Sequence, residues 1–271
     1  MSVATDSPRR LTVADIAKRY ADGERLAMLT AYDYPTAQIL DEAGIPVLLV
    51  GDSLAQTILG YETTLPVTME EMLHHTKAVA RGAKNSLIVG DMPFLSYQVS
   101  LEEGLTNAGR FLKEGGAHAV KIEGWMPELA EALSQRGIPV MAHMGLTPQS
   151  VHAMGGYRVQ GRSEEDAQRL LEHAMGMEKA GSFSLVLEGI PTDLGRKITE
   201  ALEIPTIGIG AGPHCDGQVL VTTDLLGLNS GHYPKFAKPY ANLRREITNA
   251  VTAYANDVEA GAFPDEEHSY R

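Results

Sequence analysis

The hydrophobic positions of this 271-residue chain form short apolar runs separated by longer segments with helical periodicity. Near-continuous apolar runs of this kind are typical of strands that are covered on both faces. Eight such runs lie at residues 27–31, 47–50, 87–91, 119–123, 140–143, 185–188, 206–209 and 218–221. The pattern therefore predicts eight strands alternating with helices.

Helix start and stop signals support the alternation. Ser100, with Glu103 three residues later, has the spacing of a capping box, and Gly115 stands past the end of that helical pattern. Ser163, with an acid three residues later, opens a second pattern that stops at Gly181. Strand–helix alternation across one domain is typical of parallel βα units, and eight strands favour a (βα)8 barrel. An open doubly wound sheet is the alternative fold.

We expect one domain over residues 1–271, with an N-terminal helix before the first strand and a flexible segment at 1–10. Residues 211–217 leave little room for a helix between the last two strands. Beyond Pro239, an amphipathic pattern continues to Gly261 and predicts a long C-terminal helix over 239–261. Such a helix could pack on its own barrel or on a neighbouring subunit.

Composition narrows the function classes. The net charge of −12 disfavours a nucleic-acid or anionic-membrane surface. No stretch approaches the roughly 20 apolar residues that cross a bilayer, and the polar first ten residues lack the apolar core of a signal peptide. Cys215 is the only cysteine, which excludes an internal disulfide and a thiolate zinc cluster. We therefore expect a cytoplasmic protein.

Acidic side chains stand at the ends of four predicted strands. Asp52, Asp91, Glu123 and Glu188 each end an apolar run. A buried carboxylate is costly unless it is paired or bound to a metal. Since the carboxyl ends of barrel strands meet at one mouth, we expect the four acids to converge on a cation and a substrate. Carboxylate oxygens favour Mg²⁺ or Mn²⁺ over zinc.

Each of these residues also has an ordinary structural interpretation. Lys121 and Glu123 are two apart on a strand, so both point into the barrel mouth, either as part of a site or as a buried ion pair without a ligand. Asp52 and Asp91, taken singly, fit helix N-caps. His143, at the end of the fifth predicted strand, is as consistent with a hydrogen-bonded core histidine as with a catalytic group.

Ten tracts of the sequence, in order, resemble the ketopantoate hydroxymethyltransferase family. They extend over nearly the whole chain, from about residue 29 to residue 269, and the ordered set is far more specific than any single tract. The tracts are LTAYDY (29–34), VGDSL (50–54), TLPVT (64–68), DMPF (91–94), VKIEG (120–124), HMGLTPQS (143–150), GGYRVQGR (155–162), GIGAG (208–212), CDGQ (215–218) and FPDEEHS (263–269).

The resemblance implies a barrel of the phosphoenolpyruvate/pyruvate type and an enzyme that requires Mg²⁺. The implied reaction moves a hydroxymethyl group from 5,10-methylenetetrahydrofolate to 3-methyl-2-oxobutanoate, giving 2-dehydropantoate for pantothenate biosynthesis. Family members form ring-shaped homo-oligomers, commonly decamers. Nothing in the residue spacing itself points to folate.

The resemblance also implies residue roles. Asp52, Asp91 and Glu123 would hold the metal directly or through water, with the two aspartates also facing the substrate. Ser53 and Lys121 would bind substrate oxygens, with His143 as a hydrogen-bonding group of the pocket. Glu188 would be the general base that removes a proton from carbon 3 of the oxo acid.

One position departs from the family pattern: Trp125 stands where a second glycine usually follows Glu123-Gly124. Three other functions compete with the transferase. These are a metal-dependent lyase of the same barrel type, a Schiff-base aldolase using Lys121, and a ligand-binding barrel without catalysis.

Overall fold

The computed structural model describes residues 9–229, 231 and 233–270 of the chain. They fall into two compact units that divide between Val221 and Thr222. Most of the segment expected to be flexible, residues 1–8, lies outside the described residues, and the single domain over 1–271 stays a prediction.

Eight parallel strands in the first unit form a closed barrel in sequence order. Strand β1 pairs in parallel with β8, which closes the sheet and excludes the doubly wound alternative. The prediction of a (βα)8 barrel is therefore confirmed. The strands are β1 (Leu26–Thr30), β2 (Val47–Val50), β3 (Leu87–Asp91), β4 (Ala119–Glu123), β5 (Val140–Gly145), β6 (Ser184–Glu188), β7 (Thr206–Ile209) and β8 (Gly217–Leu220).

Pairing shifts some strand ends from their predicted positions. Strand β5 continues two residues past His143 because Gly145 pairs with Glu188 of the neighbouring strand. Strands β1 and β8 are each displaced by one residue, and β6 begins at Ser184. The short connection between β7 and β8 contains no helix in the described residues, as its length predicts.

In the first unit one helix precedes β1 and the others lie between the strands. They are α1 (Val13–Ala21), α2 (Tyr34–Glu42), α3 (Leu54–Thr57), α4 (Met69–Gly82), α5 (Leu101–Arg110), α6 (Pro127–Ser134), α7 (Glu164–Lys179) and α8 (Thr192–Ala201). The Ser100 hydroxyl accepts a hydrogen bond from the Glu103 backbone N–H at 3.2 Å. The predicted stop at Gly115 is one residue early: Phe111–Gly115 forms a π-helical turn, and Gly116 takes the left-handed conformation.

The bore of the barrel is filled by inward-facing apolar side chains. Met28, Leu49, Val89, Met141 and their neighbours form one buried cluster, which also includes Ile16 of α1. The N-terminal helix thus packs against the bore, and burial of its apolar face stabilises the fold by about 25 cal/mol per Å².

The second unit contains α9 (Thr222–Leu225) and the predicted C-terminal helix, α10 (Leu243–Glu259). Asn242 caps α10, its side chain accepting from the Arg245 backbone N–H. No residue of α10 is buried. Its apolar residues Ile247, Val251, Tyr254 and Val258 are each about half exposed. They share one helix face because their spacing follows the helical repeat. Among the described residues, no helix is long and apolar enough to span a bilayer.

Gly90 lets the π-helical turn approach strand β3 directly behind Asp91. A Cβ atom at this position would lie 2.4 Å from Cδ1 of Phe111, whose side chain is fully buried. Successive residues of a strand point to opposite faces, so Gly90 faces out of the barrel and Asp91 points into it. The same close contact therefore supports Asp91 from outside the barrel.

Replacing Gly90 by alanine should destabilise the fold by about 1–3 kcal/mol, because the added methyl group must displace a buried ring. Gly109→Ala is the matched control: nothing lies within 4 Å of its built Cβ atom, and alanine favours helix over glycine by about 1 kcal/mol. Thermal unfolding followed by circular dichroism should show a lower Tm for Gly90→Ala and an equal or higher one for Gly109→Ala. Equal shifts in both variants would contradict the close-contact argument.

Candidate active site at the barrel mouth

Three acidic side chains converge at the carboxyl end of neighbouring strands. Asp91 and Glu123 are the last residues of β3 and β4, and Asp52 follows β2 by two residues. One oxygen from each lies within 4.8 Å of the others, and all three side chains are buried. Neither aspartate caps a helix in the described structure, since α3 begins at Leu54 with Ser53 as its N-cap residue and has no side-chain cap. The N-cap interpretation is therefore wrong.

Strand parity explains why these groups face inward. Ala119 of β4 belongs to the cluster in the bore, so Lys121 and Glu123, two and four residues further, point to the same side. By the same parity, Val186 of β6 directs Glu188 inward. The polar groups thus form a layer above the apolar filling of the barrel.

Lys121 lies among the acids as a charged group. Its Nζ atom is 2.9 Å from Asp91 Oδ1 and 3.2 Å from Glu123 Oε1. Burial opposes its charge, but Asp91 and Glu123 outweigh this effect and hold the pKa of the ammonium above its usual value. A Schiff-base lysine has to lose its proton to act as a nucleophile. The ion pairs therefore count against the aldolase alternative.

The three carboxylates differ in how easily they ionise. Burial, followed by the charges of Asp91 and Glu123, raises the pKa of Asp52 well above its usual value. Burial also raises the pKa of Asp91, although Lys121 opposes it. At Glu123 burial is outweighed by Lys121 and His143, which lower the pKa to about 2. The site thus holds more buried acid than its cations can balance.

This donor set fits a hard divalent cation. Asp91 Oδ1 is buried and is paired with Lys121 Nζ at 2.9 Å, and a carboxylate oxygen keeps a second lone pair for a cation. Three carboxylates that converge in a space of this size match the oxygen ligands that Mg²⁺ and Mn²⁺ prefer. Asp52, Asp91 and Glu123 are the residues that could hold the ion.

His143 connects the acidic triad to Glu188. Its Nδ1 atom lies 3.3 Å from Glu123 Oε1, and its Nε2 atom lies 3.4 Å from Glu188 Oε2. Burial and Lys121 oppose its charge, but Glu123 and Glu188 outweigh them and raise the pKa of the imidazole to about 9. Glu188 is the most open of the four acids, with a side chain 16% exposed.

The structure also shows what surrounds Ser53 and Trp125. The Ser53 hydroxyl lies 2.9 Å from the Tyr32 hydroxyl, next to Asp52, whose backbone N–H donates to Asp91 Oδ2 at 3.0 Å. Trp125 is stacked on His173 of α7, with ring centroids 4.3 Å apart. The indole that replaces the usual glycine thus packs against a helix.

Gln149 and Tyr97 were not predicted as site residues. Gln149 donates a hydrogen bond from Nε2 to Asp52 Oδ2, and its backbone N–H donates to Glu123 Oε2. Tyr97 donates its hydroxyl proton to Gln149 Oε1. Tyr97 lies in the loop after β3 and Gln149 in the 3₁₀ turn Pro148–Ser150 after β5, where strand parity gives no direction. The only signal was the position of Gln149 within the tract 143–150.

Solved structures with the same fold are distant in sequence. Phosphoenolpyruvate phosphomutase from Streptomyces platensis subsp. rosaceus superimposes with a TM-score of 0.62 at 14% identity, over 96% of this chain and 92% of that chain. Phosphonopyruvate hydrolase solved with oxalate and Mg²⁺ gives 0.61 at 13% identity, over 95% and 93%. A 2,3-dimethylmalate lyase, a member of the PEP mutase/isocitrate lyase superfamily, gives 0.60 at 15%, over 96% and 92%.

By fold, then, the chain is a closed (βα)8 barrel similar to those of these distant structures. Its sequence specifies the family more closely. The family model for ketopantoate hydroxymethyltransferase matches residues 10–266. A 3-methyl-2-oxobutanoate hydroxymethyltransferase from Geobacter metallireducens is 55% identical over 264 residues, covering 97% of this chain and 99% of that protein. One from Syntrophus aciditrophicus is 55% identical over 265 residues, covering 97% of each. The chain belongs to the ketopantoate hydroxymethyltransferase family.

Binding of a divalent cation should release protons. Because burial raises the pKa values of Asp52 and Asp91, protons compete with the cation for these carboxylates at higher pH than they do for ordinary ones. We expect Mn²⁺ affinity to rise with pH above the ordinary carboxyl range. Calorimetric titration in two buffers of different ionisation enthalpy measures the released protons, and Asp52→Asn should release fewer.

The raised pKa values of Asp52 and Asp91 also set the sign of the pH dependence of stability. A carboxyl whose pKa is raised by folding contributes stability that is fully present below its unfolded pKa and is lost as pH rises through its folded pKa. Stabilisation by Mn²⁺, measured as a shift in Tm, should therefore grow with pH. A Mn²⁺-induced shift in Tm that does not change with pH, together with equal binding heats in both buffers, would contradict the assignment of Asp52 and Asp91 as metal ligands.

Proposed function

We propose that this chain transfers a hydroxymethyl group from 5,10-methylenetetrahydrofolate to 3-methyl-2-oxobutanoate, forming 2-dehydropantoate and tetrahydrofolate in pantothenate biosynthesis. The observation that carries the proposal is the acidic triad at a mouth shared with Glu188, because the reaction needs a cation and a base. Family membership supplies the substrates. One water molecule completes the balance, since the methylene carbon of the donor becomes a hydroxymethyl group.

Mg²⁺ is the cation we propose, held by Asp52, Asp91 and Glu123 directly or through water. When bound, it would stabilise negative charge on the carboxylate and keto oxygens of the oxo acid. Lys121 adds a fixed positive charge within hydrogen-bonding distance of Asp91 and Glu123. Together with the Ser53 hydroxyl, it would bind substrate oxygens next to the triad.

Glu188 is the general base in this proposal. It is the acid most open to an incoming substrate, and removal of the proton from carbon 3 turns that carbon into a nucleophile. The enolate then attacks the one-carbon unit derived from folate. His143, positioned between Glu123 and Glu188, hydrogen-bonds within the pocket and offsets part of the negative charge around the base.

The first half of the reaction can be tested without folate. In D₂O, the enzyme with Mg²⁺ should exchange the carbon 3 proton of 3-methyl-2-oxobutanoate, as followed by proton NMR, and EDTA should abolish the exchange. Glu188→Gln should slow it by about 10²–10⁴-fold, the usual contribution of a general base, while Mn²⁺ affinity remains unchanged.

Exchange that persists in EDTA would contradict the metal-dependent mechanism. Trapping of a covalent Lys121 adduct with borohydride, detected by mass spectrometry, would favour the aldolase. Near-normal exchange in Glu188→Gln would remove Glu188 from the role. If exchange appears only after tetrahydrofolate is added, deprotonation requires the second substrate.

We also propose that the enzyme is a cytoplasmic homo-oligomer, a decamer in keeping with its family. The oligomer is supported by the apolar face of α10 defined by Ile247, Val251, Tyr254 and Val258, which is exposed in the single chain. Full burial of a side chain of this kind is worth about 1.5–3 kcal/mol. A second copy of the chain is the partner that we propose for this face.

Light scattering coupled to gel filtration should give an oligomeric mass for the native chain. Val251→Glu places a charge in the apolar face and should lower that mass, because a buried unpaired carboxylate is costly. Asn256→Glu, on the opposite face of the same helix, is the matched control and should leave the mass unchanged. A monomeric native protein, or equal effects of the two substitutions, would contradict this interface.

A further inference from the structure

Gln149 uses its whole hydrogen-bonding capacity at the edge of the acidic triad. It lies in the 3₁₀ turn Pro148–Ser150 that follows β5, and it is 5% exposed. Its Nε2 atom donates to Asp52 Oδ2 at 3.0 Å and to the Met92 carbonyl at 2.9 Å. Its Oε1 atom accepts from the Tyr97 hydroxyl at 2.7 Å and from Gln98 Nε2 at 3.1 Å.

These partners fix the orientation of the amide. The Met92 carbonyl can only accept a hydrogen bond, so the nitrogen of the amide must face it. A flipped amide would place two acceptors together at Met92. The donor is therefore always directed at Asp52, and it leaves the other carboxylate oxygen, Oδ1, without a bond from Gln149.

The backbone of the same residue holds a second member of the triad. The Gln149 N–H donates to Glu123 Oε2 at 3.0 Å. The Tyr97 hydroxyl, which donates to the Gln149 side chain, accepts from the Glu123 N–H at 3.0 Å. Gln149 thus connects carboxylates from two different strand ends, while Tyr97 anchors both Gln149 and Glu123.

We propose that Gln149 is a positioning residue for the cation. It would hold the Asp52 and Glu123 carboxylates at the separation at which the triad converges, with Tyr97 fixing the amide. The inference rests on the proposed function, in which the triad binds a divalent ion. Groups that orient metal ligands typically contribute about 10–100-fold to metal affinity. A purely structural amide would contribute to folding and leave that affinity unchanged.

The test measures Mn²⁺ binding to the full-length metal-free protein by electron paramagnetic resonance, without substrate. Gln149→Met keeps the length of the side chain and the backbone N–H but removes the amide, and the Mn²⁺ Kd should rise about 10–100-fold. Tyr97→Phe removes only a hydroxyl and should also raise the Mn²⁺ Kd. This second variant keeps the proposal testable if Gln149→Met fails to fold.

Asn85→Leu is the matched control. Asn85 Nδ2 donates to the carboxylate of Asp41 at 2.8 Å, and residue 85 precedes β3, at the end of the barrel opposite the mouth. The control removes a comparable amide-to-carboxylate bond and should leave the Mn²⁺ Kd within about twofold of the native value. Circular dichroism melting curves compare the stabilities of the three variants.

Two results would overturn the inference. If Gln149→Met and Tyr97→Phe both bind Mn²⁺ like the native chain, Gln149 has a structural role only and the metal site stands. If the native chain itself binds no Mn²⁺, the metal site in the proposed function fails, and the positioning role fails with it.

Discussion

The organisation of the barrel mouth depends on an excess of buried negative charge. One oxygen each of Asp52, Asp91 and Glu123 lies within 4.8 Å of the others, and Lys121 is the cation that pairs with Asp91 and Glu123. Like charges at this separation repel strongly in a low-dielectric interior. The fold can hold them only with a shared cation, with retained protons, or with donors fixed by the surrounding loops. At this mouth Asp91 and Glu123 share Lys121, burial raises the pKa values of Asp52 and Asp91, and Gln149 donates to Asp52 and Glu123.

The surrounding structure fixes these groups from several sides. The apolar filling of the bore forms a floor beneath the polar layer, so the acids cannot move down the barrel axis without breaking packed contacts. Behind Asp91, the close approach of Phe111 to Gly90 limits movement of β3 outward. Gln149 and Tyr97 act from the loop side. Rigid support of this kind is what precise placement of catalytic groups requires.

Strand parity and strand-end position were sufficient to predict the barrel and the convergence of Asp52, Asp91, Glu123 and Glu188. Both follow from backbone geometry that a local sequence pattern records. The contacts of Gln149 could not be predicted in the same way, because its partners are distant in the chain. Asp52 lies 97 positions before Gln149, and Tyr97 lies 52 positions before it. The π-helical turn after α5 was also missed, since its bounds depend on packing against β3. Nothing in strand geometry points to folate, and the proposal of a folate donor rests on family membership alone.

The division of the site along the chain has a consequence for how it assembles. The acidic triad comes from β2, β3 and β4, in the first half of the barrel, while His143, Gln149 and Glu188 come from β5, β6 and the loop between them. The seam between the halves is the β4–β5 pairing, in which Glu123 is opposite His143. A half-barrel fragment would therefore carry the ligands without the base, or the base without the ligands. Chemistry at this mouth begins only when the two halves have closed, so activity itself reports completion of the fold.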